Sequence, residues 1–324
     1  MADYSLDYQI RYDSERNSCG ILFKCFDTPN SVTVFGLSKP DVVEPLLLRV
    51  RNACLDFHRL WSFSSAESDI AHINGQVDRI EVDQSTADLL REMIAFNRQE
   101  PLFDFTIGPA SLAWKRAKRV PTDEELADAL THVGVSKVTV DGTIIMKADP
   151  HLRVDVGGAA KGFVADYLVA MLRDAGVESA DIDLGGNLFL MGDHPEGRPW
   201  RLSVRIPKDV PAEPVMVSVS DKSAVTSGSY ERFVEIDGKR YQHIIDPRTG
   251  WPSESDIVSA TVIADSSLQA DMLATTACLA GTEGFFELAL RHPNCDFIAI
   301  LADGTILAPP SGMRGSRCPR EGLP

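Results

Sequence analysis

Lys137–Met146, KVTVDGTIIM, places Asp141-Gly142 between two runs of alternating apolar and polar residues, the short-range signature of a β-hairpin. The signal recurs. RFVEIDGKRYQHIID, residues 232–246, turns about Asp237-Gly238, and FIAILADGTILA, residues 297–308, forms a last hairpin. A hairpin joins antiparallel neighbours directly, whereas parallel strands need a long crossover. Hairpins interleaved with helices therefore predict an α+β fold, with mixed, largely antiparallel sheet packed against helices.

The helical segments have clear periodicity. In PDVVEPLLLRVRNACLDFHRLW, residues 40–61, Leu46, Leu47, Val50, Cys54, Phe57 and Trp61 share one face, as in a long core helix. SFSSAESDIAHINGQ follows as a turn-rich stretch, and a second helix is expected near 85–98, ending before Pro101. TDEELADALTHVG carries the capping box Thr122-x-x-Glu125 and stops at Gly134. RVDVGGAAKGF, residues 153–163, leads into a helix with the apolar stripe Val164, Tyr167, Leu168, Met171 and Leu172, ending at Gly176. ADIDLGGNLFLMG, WRLSVRI, PVMVSVS and DIVSATVIA read as strands, and Ser266-x-x-Gln269 opens a helix expected to run to Gly281. No internal repeat is present. The reading is one unit over 1–308, or two closely packed subdomains, with 309–324 as a disordered tail.

Bulk properties exclude some function classes. With 324 residues, 44% of them hydrophobic, the chain can bury a large core. A net charge of −15 opposes general affinity for nucleic acid or anionic membrane, so an anionic ligand must be met locally. Cys19, Cys25, Cys54, Cys278, Cys295 and Cys318 lack zinc or dithiol spacing and read as reduced thiols. The N-terminus lacks the pattern of a signal peptide, and no run is apolar enough to span a bilayer, so the expectation is a cytoplasmic protein without a membrane anchor.

Four stretches carry chemistry. DVGGAAKGF fits neither the Walker loop nor the dinucleotide fingerprint. It offers Asp155 at a strand end, glycines for close backbone approach and Lys161 in the first turn of a helix; alone it reads as a strand-to-helix turn. AVTSGSYERF could bind phosphate through Thr226, Ser227 and the Gly228 amide, with Arg232 adding a charged fork, or be a polar turn. QHIIDPRTGWP concentrates His243, Asp246, Arg248 and Thr249 on a turn. In QADMLATTACLAG, Asp271 and Thr275 stand at i and i+4 and share a helix face. A carboxylate and a hydroxyl suit a hard cation such as Mg2+. The alternative is a threonine bonded back to a carbonyl and an aspartate facing solvent.

Taken in order, FSSAESDIAHIN, FDFTIGPASLAW, VDVGGAAKGFVADYL, DIDLGGNLFLMG, TSGSYERF, HIIDPRTGWP and ADMLATTACLAG resemble the ApbE-like family of FAD:protein FMN transferases, from about Phe23 to Ala308. The resemblance implies an ApbE-like flavin transferase fold. It also implies an enzyme that binds FAD and Mg2+, transfers FMN through its phosphate to a threonine or serine hydroxyl of a client protein, and releases AMP. By the same resemblance Asp155 and Lys161 would contact FAD, and the Gly158 carbonyl would help hold the metal. Asp271 and Thr275 would ligate Mg2+, with the Ala274 carbonyl adding to them. His243 would stand beside the flavin phosphates and Ile244 in the flavin wall, and Thr226, Ser227 and Gly228 would complete the cofactor site.

The chain departs from the family pattern at several positions. Phe26 in FDT stands where a methionine is usual, before the first strand, and Ser64 stands where FSTY-type segments carry an aromatic. Gln242 replaces a common serine, and the signal and lipid-anchor cysteine of exported members are absent from this sequence. The metal and phosphate residues are intact, while the flavin wall is altered. Asp271 and Lys161 thus become the charge-bearing catalytic candidates, with His243 or Asp246 to take the proton of the acceptor. Two other functions use the same site: an FAD pyrophosphatase yielding FMN and AMP, and a non-catalytic flavin-binding protein.

Overall fold

The N-terminal meander β1 (Tyr8–Asp13), β2 (Ser18–Cys25) and β3 (Thr28–Phe35) opens the main sheet, its strands paired antiparallel. The computed structural model describes residues 7–37, 39–63, 65–75, 78–230 and 233–309; Cys318 and the expected tail beyond Pro309 lie outside them. Cys25 pairs with Thr28 across a two-residue turn made by Phe26 and Asp27, both left-handed at φ 52° and 59°. FDT therefore lies between the second and third strands, not before the first.

α1 (Pro40–Trp61) buries the predicted stripe. α2 (Asp69–Ile73), capped by the Ser68 hydroxyl, is a short helix within the stretch read as turn-rich. β4 (Arg79–Glu81) and α3 (Gln84–Gln99) follow, then α4 (Gly108–Lys115) and α5 (Asp123–Thr131), the last with the reciprocal Thr122–Glu125 box in place. β5 (Val138–Asp141) and β6 (Ile144–Lys147) form the hairpin read first, but Asp141 pairs with Ile144, so its loop is Gly142-Thr143. With β4 they make a separate three-stranded sheet.

After α6 (Ala160–Asp174), β7 (Ser179–Leu184) and β8 (Asn187–Met191) form a hairpin. β9 (Trp200–Ser203) and β10 (Met216–Val219) make a ribbon, and β11 (Lys222–Gly228) is a strand where a site loop or polar turn was expected. β12 (Phe233–Ile236) and β13 (Lys239–Gln242) turn about Asp237-Gly238 as predicted, with both residues left-handed. β14 (Ile257–Ala264), α7 (Ser267–Arg291), β15 (Asp296–Leu301) and β16 (Ile306–Leu307) complete the described chain.

Nine strands form the main sheet in the order β1-β2-β3-β7-β8-β11-β14-β15-β16, antiparallel throughout. α1, α6 and α7 cover one face and enclose the largest core; the β9–β10 ribbon covers part of the other through Trp200, Val217 and Val219. Tyr167, expected in the α6 stripe, is exposed, its ring edge against Phe57. α7 does not stop at Gly281 but breaks there, at φ 66° and ψ 178°, and resumes. Asp256 accepts from the Thr282 amide at 3.0 Å and so caps the second segment. Cys19, Cys25, Cys54, Cys278 and Cys295 are buried free thiols. No helix of the described residues is long and apolar enough to cross a membrane.

Candidate functional site

α6 and α7 cross so closely that a methyl group on Gly162 would meet the Ser267 carbonyl oxygen at 2.5 Å. Only glycine permits this approach, and it aligns two chemistry-bearing segments. The Gly162 amide donates to Asp271 Oδ2 at 3.0 Å, fixing a carboxylate that is 4% exposed. One turn on, Thr275 Oγ1 donates back to the Asp271 carbonyl at 3.2 Å. The threonine half of the alternative reading thus holds, but Asp271 does not face bulk solvent. Thr275 Oγ1 also lies 3.4 Å from Ser227 Oγ at the end of β11, and Gly158 approaches it from the loop before α6.

These groups line a cleft of about 1020 Å³. Phe26, Asp155, Gly158, Lys161, Thr226, Ser227, Gly228, His243, Ile244, Asp271 and Thr275 all contribute to its walls. Phe26 enters from the β2–β3 turn, its ring edge-on to His58, and His243 and Ile244 directly follow β13. Thr226 Oγ1 bonds to Thr261 Oγ1 at 2.8 Å within the sheet. Ala274 is fully buried in α7 and is not among the lining residues. Asp246 is not among them either. Its carboxylate holds the Arg248 guanidinium and amide, which makes it the organiser of the turn that positions His243. Ser64 and Arg232 lie outside the described residues.

The cleft also holds cations that sequence reading did not select. Lys115 pairs with Asp155 at 3.1 Å and stacks over the Phe63 ring. Burial alone would raise the Asp155 carboxyl, but Lys115 and the Gly157 amide more than offset this and hold it below its ordinary range. Lys115 ends α4, whose available signal was Pro109 at a helix start. Arg205 also lines the cleft, packed so near the Gly185-Gly186 turn that a methyl on Gly186 would lie 2.9 Å from its Nη1. A buried carboxylate, hydroxyls and several basic groups around one cavity suit a polyanionic nucleotide together with a hard cation.

Residues 26–299 match the ApbE family. This chain belongs to the ApbE family. It is 34% identical over 266 residues to the FAD:protein FMN transferase of Treponema pallidum, covering 75% of this chain and 73% of that protein. With the FAD:protein FMN transferase of Haemophilus influenzae it is 31% identical over 243 residues, covering 71% and 70%. Its fold superposes on the flavin transferase ApbE of Vibrio cholerae with a TM-score of 0.80 at 26% identity, over 91% of this chain and 97% of the other. For the ApbE protein of Thermotoga maritima the TM-score is 0.81 at 25% identity, over 94% and 98%. The α+β ApbE fold implied by the sequence is the fold observed.

Within this ApbE-family chain, the donor set around Asp271 fits magnesium by its chemistry. Asp271 and Thr275 offer hard oxygens, and Gly158 stands against them. No cluster of three His, Cys, Asp or Glu side chains able to hold a metal occurs among the described residues. Such a set leaves room for the water and substrate phosphate that Mg2+ retains as ligands.

Proposed function

We propose that this chain is a Mg2+-dependent transferase that moves FMN from FAD to a threonine or serine hydroxyl of a client protein and releases AMP. One observation carries the reading. Asp271, Thr275, Ser227 and Gly158, from three separate segments, converge in a cleft that also presents Lys161, Lys115, Arg205 and His243. The relatives' name, FAD:protein FMN transferase, supports its coarser part, transfer of FMN from FAD to a protein.

Asp271, Thr275 and the Gly158 carbonyl would hold the metal. When bound, Mg2+ supplies positive charge that neutralises the pyrophosphate oxygens. Lys161, at the start of α6, has the α6 amides beside it, which favours the FAD pyrophosphate at this helix end. Lys115 orients Asp155 on the same wall, and Phe26 and Ile244 offer apolar surface to the isoalloxazine.

The acceptor hydroxyl oxygen then forms a bond to the FMN phosphorus, and the bridging P–O bond breaks. AMP departs with that electron pair, while the hydroxyl proton passes to the His243 imidazole. His243 is exposed at the cleft wall, where an incoming hydroxyl can reach it.

The test is incubation with FAD and Mg2+, with and without candidate acceptor proteins, read by AMP formation and intact-protein mass. An acceptor should gain the mass of FMN in step with AMP. Asp271→Ala should abolish Mg2+-dependent AMP release, and unchanged turnover would remove Asp271 from the site. Equal AMP and free FMN without transfer to any acceptor would instead make the chain a pyrophosphatase.

A further inference from the structure

Asp181 stands in the middle of β7, on the face of the main sheet turned away from α1, α6 and α7. Its neighbours Ala180 and Ile182 are fully buried in the helix-side core, and side chains alternate along a strand. Asp181 pairs with Leu190 of β8, and Asp183 with Leu188. Both leucines pack in the smaller core under the β9–β10 ribbon. The carboxylate is thus set in an apolar floor.

Beside the ribbon this floor opens into a cavity of about 850 Å³, a volume typical of small-molecule sites. Asp181, Leu188 and Leu190 line it from the sheet, and Trp200, Leu202 and Met216 from the ribbon. It shares no lining residue with the FAD cleft.

Asp181 Oδ1 is shut off from solvent and has no hydrogen-bond partner among the described residues. The residue as a whole is only part-buried and lines the cavity, so an approaching donor meets the carboxylate from that side. Burial, and the charge of Asp183 two residues on, push its carboxyl up to about 6, which leaves it largely ionised at pH 7. A carboxylate kept in apolar surroundings without a donor lowers stability. A donor arriving from outside would remove that deficit.

The rim carries the opposite charge. Arg198 is held by Glu196 at 2.8 Å, His194 lies edge-on to Trp200, and Arg201 of β9 is exposed; all three line the cavity. A cation is therefore welcome at the floor, and a second one is opposed at the mouth.

We propose that this cavity is a second ligand site, separate from the FAD cleft, for a primary amine carried on an apolar chain. The ammonium donates to the Asp181 carboxylate, the chain lies along Leu188, Leu190 and Leu202, and its far end emerges beside Arg201, where an acidic group is favoured. The inference is independent of the transferase reading.

The test titrates the full chain at about pH 7.5 with hexylamine, 6-aminohexanoate, 1,6-diaminohexane and hexanoate, followed by isothermal titration calorimetry. Hexylamine and 6-aminohexanoate should bind, the diamine at least about tenfold more weakly than 6-aminohexanoate, and hexanoate not at all. Asp181→Asn should lower the affinity for hexylamine at least about tenfold, the loss of a charge-assisted hydrogen bond. Arg201→Ala should erase the preference for 6-aminohexanoate over the diamine. Asp181→Leu gives a readout without ligand: removing an unpartnered carboxylate from an apolar floor should raise the thermal midpoint.

Equal binding of hexylamine by the wild type and Asp181→Asn would overturn the proposal, as would binding of neither hexylamine nor 6-aminohexanoate. A preference that persists in Arg201→Ala, or a diamine bound as well as 6-aminohexanoate, would do the same. A lower midpoint for Asp181→Leu would reveal a native partner for the carboxylate and leave no place for an amine.

Discussion

Gly158 faces Thr275 so closely that a methyl group on its α carbon would lie 3.2 Å from Thr275 Oγ1 and 3.2 Å from Phe103 Cε2. Its φ is not left-handed, so alanine is permitted by the backbone and opposed only by these neighbours. Gly158→Ala should cost about 1 kcal/mol of stability, the low end of overpacking. Its effect on the proposed Mg2+ dependence should be larger, because a shift of a few tenths of an ångström moves the Thr275 hydroxyl proposed to hold the metal. The Mg2+ concentration for half-maximal AMP release should rise at least about tenfold, as for other disturbances beside metal ligands. An unchanged Mg2+ titration would separate Gly158 from the metal.

Gly162→Ala should behave differently. Its methyl group would meet main-chain atoms, Ser267 O at 2.5 Å and Leu268 Cα at 2.6 Å, which cannot rotate aside. Forcing α6 from α7 should cost about 3 kcal/mol and lengthen the Gly162–Asp271 hydrogen bond. Urea unfolding should show a lower midpoint, with activity lost even where the protein remains folded. Wild-type midpoint and activity together would show that the two helices can part without harm.

Glu100 predicts a pH dependence away from the cleft. Its side chain is 3% exposed and accepts from Arg291 at 2.6 Å and 2.8 Å, and His292 Nε2 lies 2.9 Å away. Burial raises its pKa, but the hydrogen bonds from Arg291 and His292 outweigh it and the net shift is downward. A depressed carboxyl stabilises the fold above its unfolded value of about 4.3, and the contribution disappears as pH falls through the native value. Glu100→Gln should be less stable at pH 7 by about 2 kcal/mol. Its thermal midpoint should fall less steeply than that of the wild type below about pH 4.3. Parallel curves would show that Glu100 does not drive acid unfolding.

What the sequence disclosed depended on whether the decisive contact was local. Asp237-Gly238 was readable because both residues are left-handed and chemically suited to it, and α1 because its burial follows a helical period. The β2–β3 turn escaped because phenylalanine and aspartate occupy the left-handed positions, without an Asn-Gly signal. β11 escaped because KSAVTSG is small and polar, although it lies between β8 and β14 against α7, where small residues allow close packing. Asp271 and Thr275 could be paired from their i,i+4 spacing. Lys115 and Arg205 could not, because only the folded chain brings them to the cleft.

Phe26 offers the test of why that turn is unusual. A bulky residue at φ 52° sits in a region that costs about 1–2 kcal/mol outside glycine, and such strain collects at functional sites. Its ring lines the cleft, half-buried, against His58. Phe26→Gly should relieve the backbone and lose the ring's packing, two opposing effects that leave stability within about 1 kcal/mol of wild type. FAD affinity should nevertheless fall about tenfold, the loss of one aromatic contact worth about 1.4 kcal/mol. Thermal unfolding and FAD titration by flavin fluorescence read the two effects separately. A large loss of stability with unchanged affinity would mean that Phe26 serves the core, and that its backbone is strained for packing instead of for flavin.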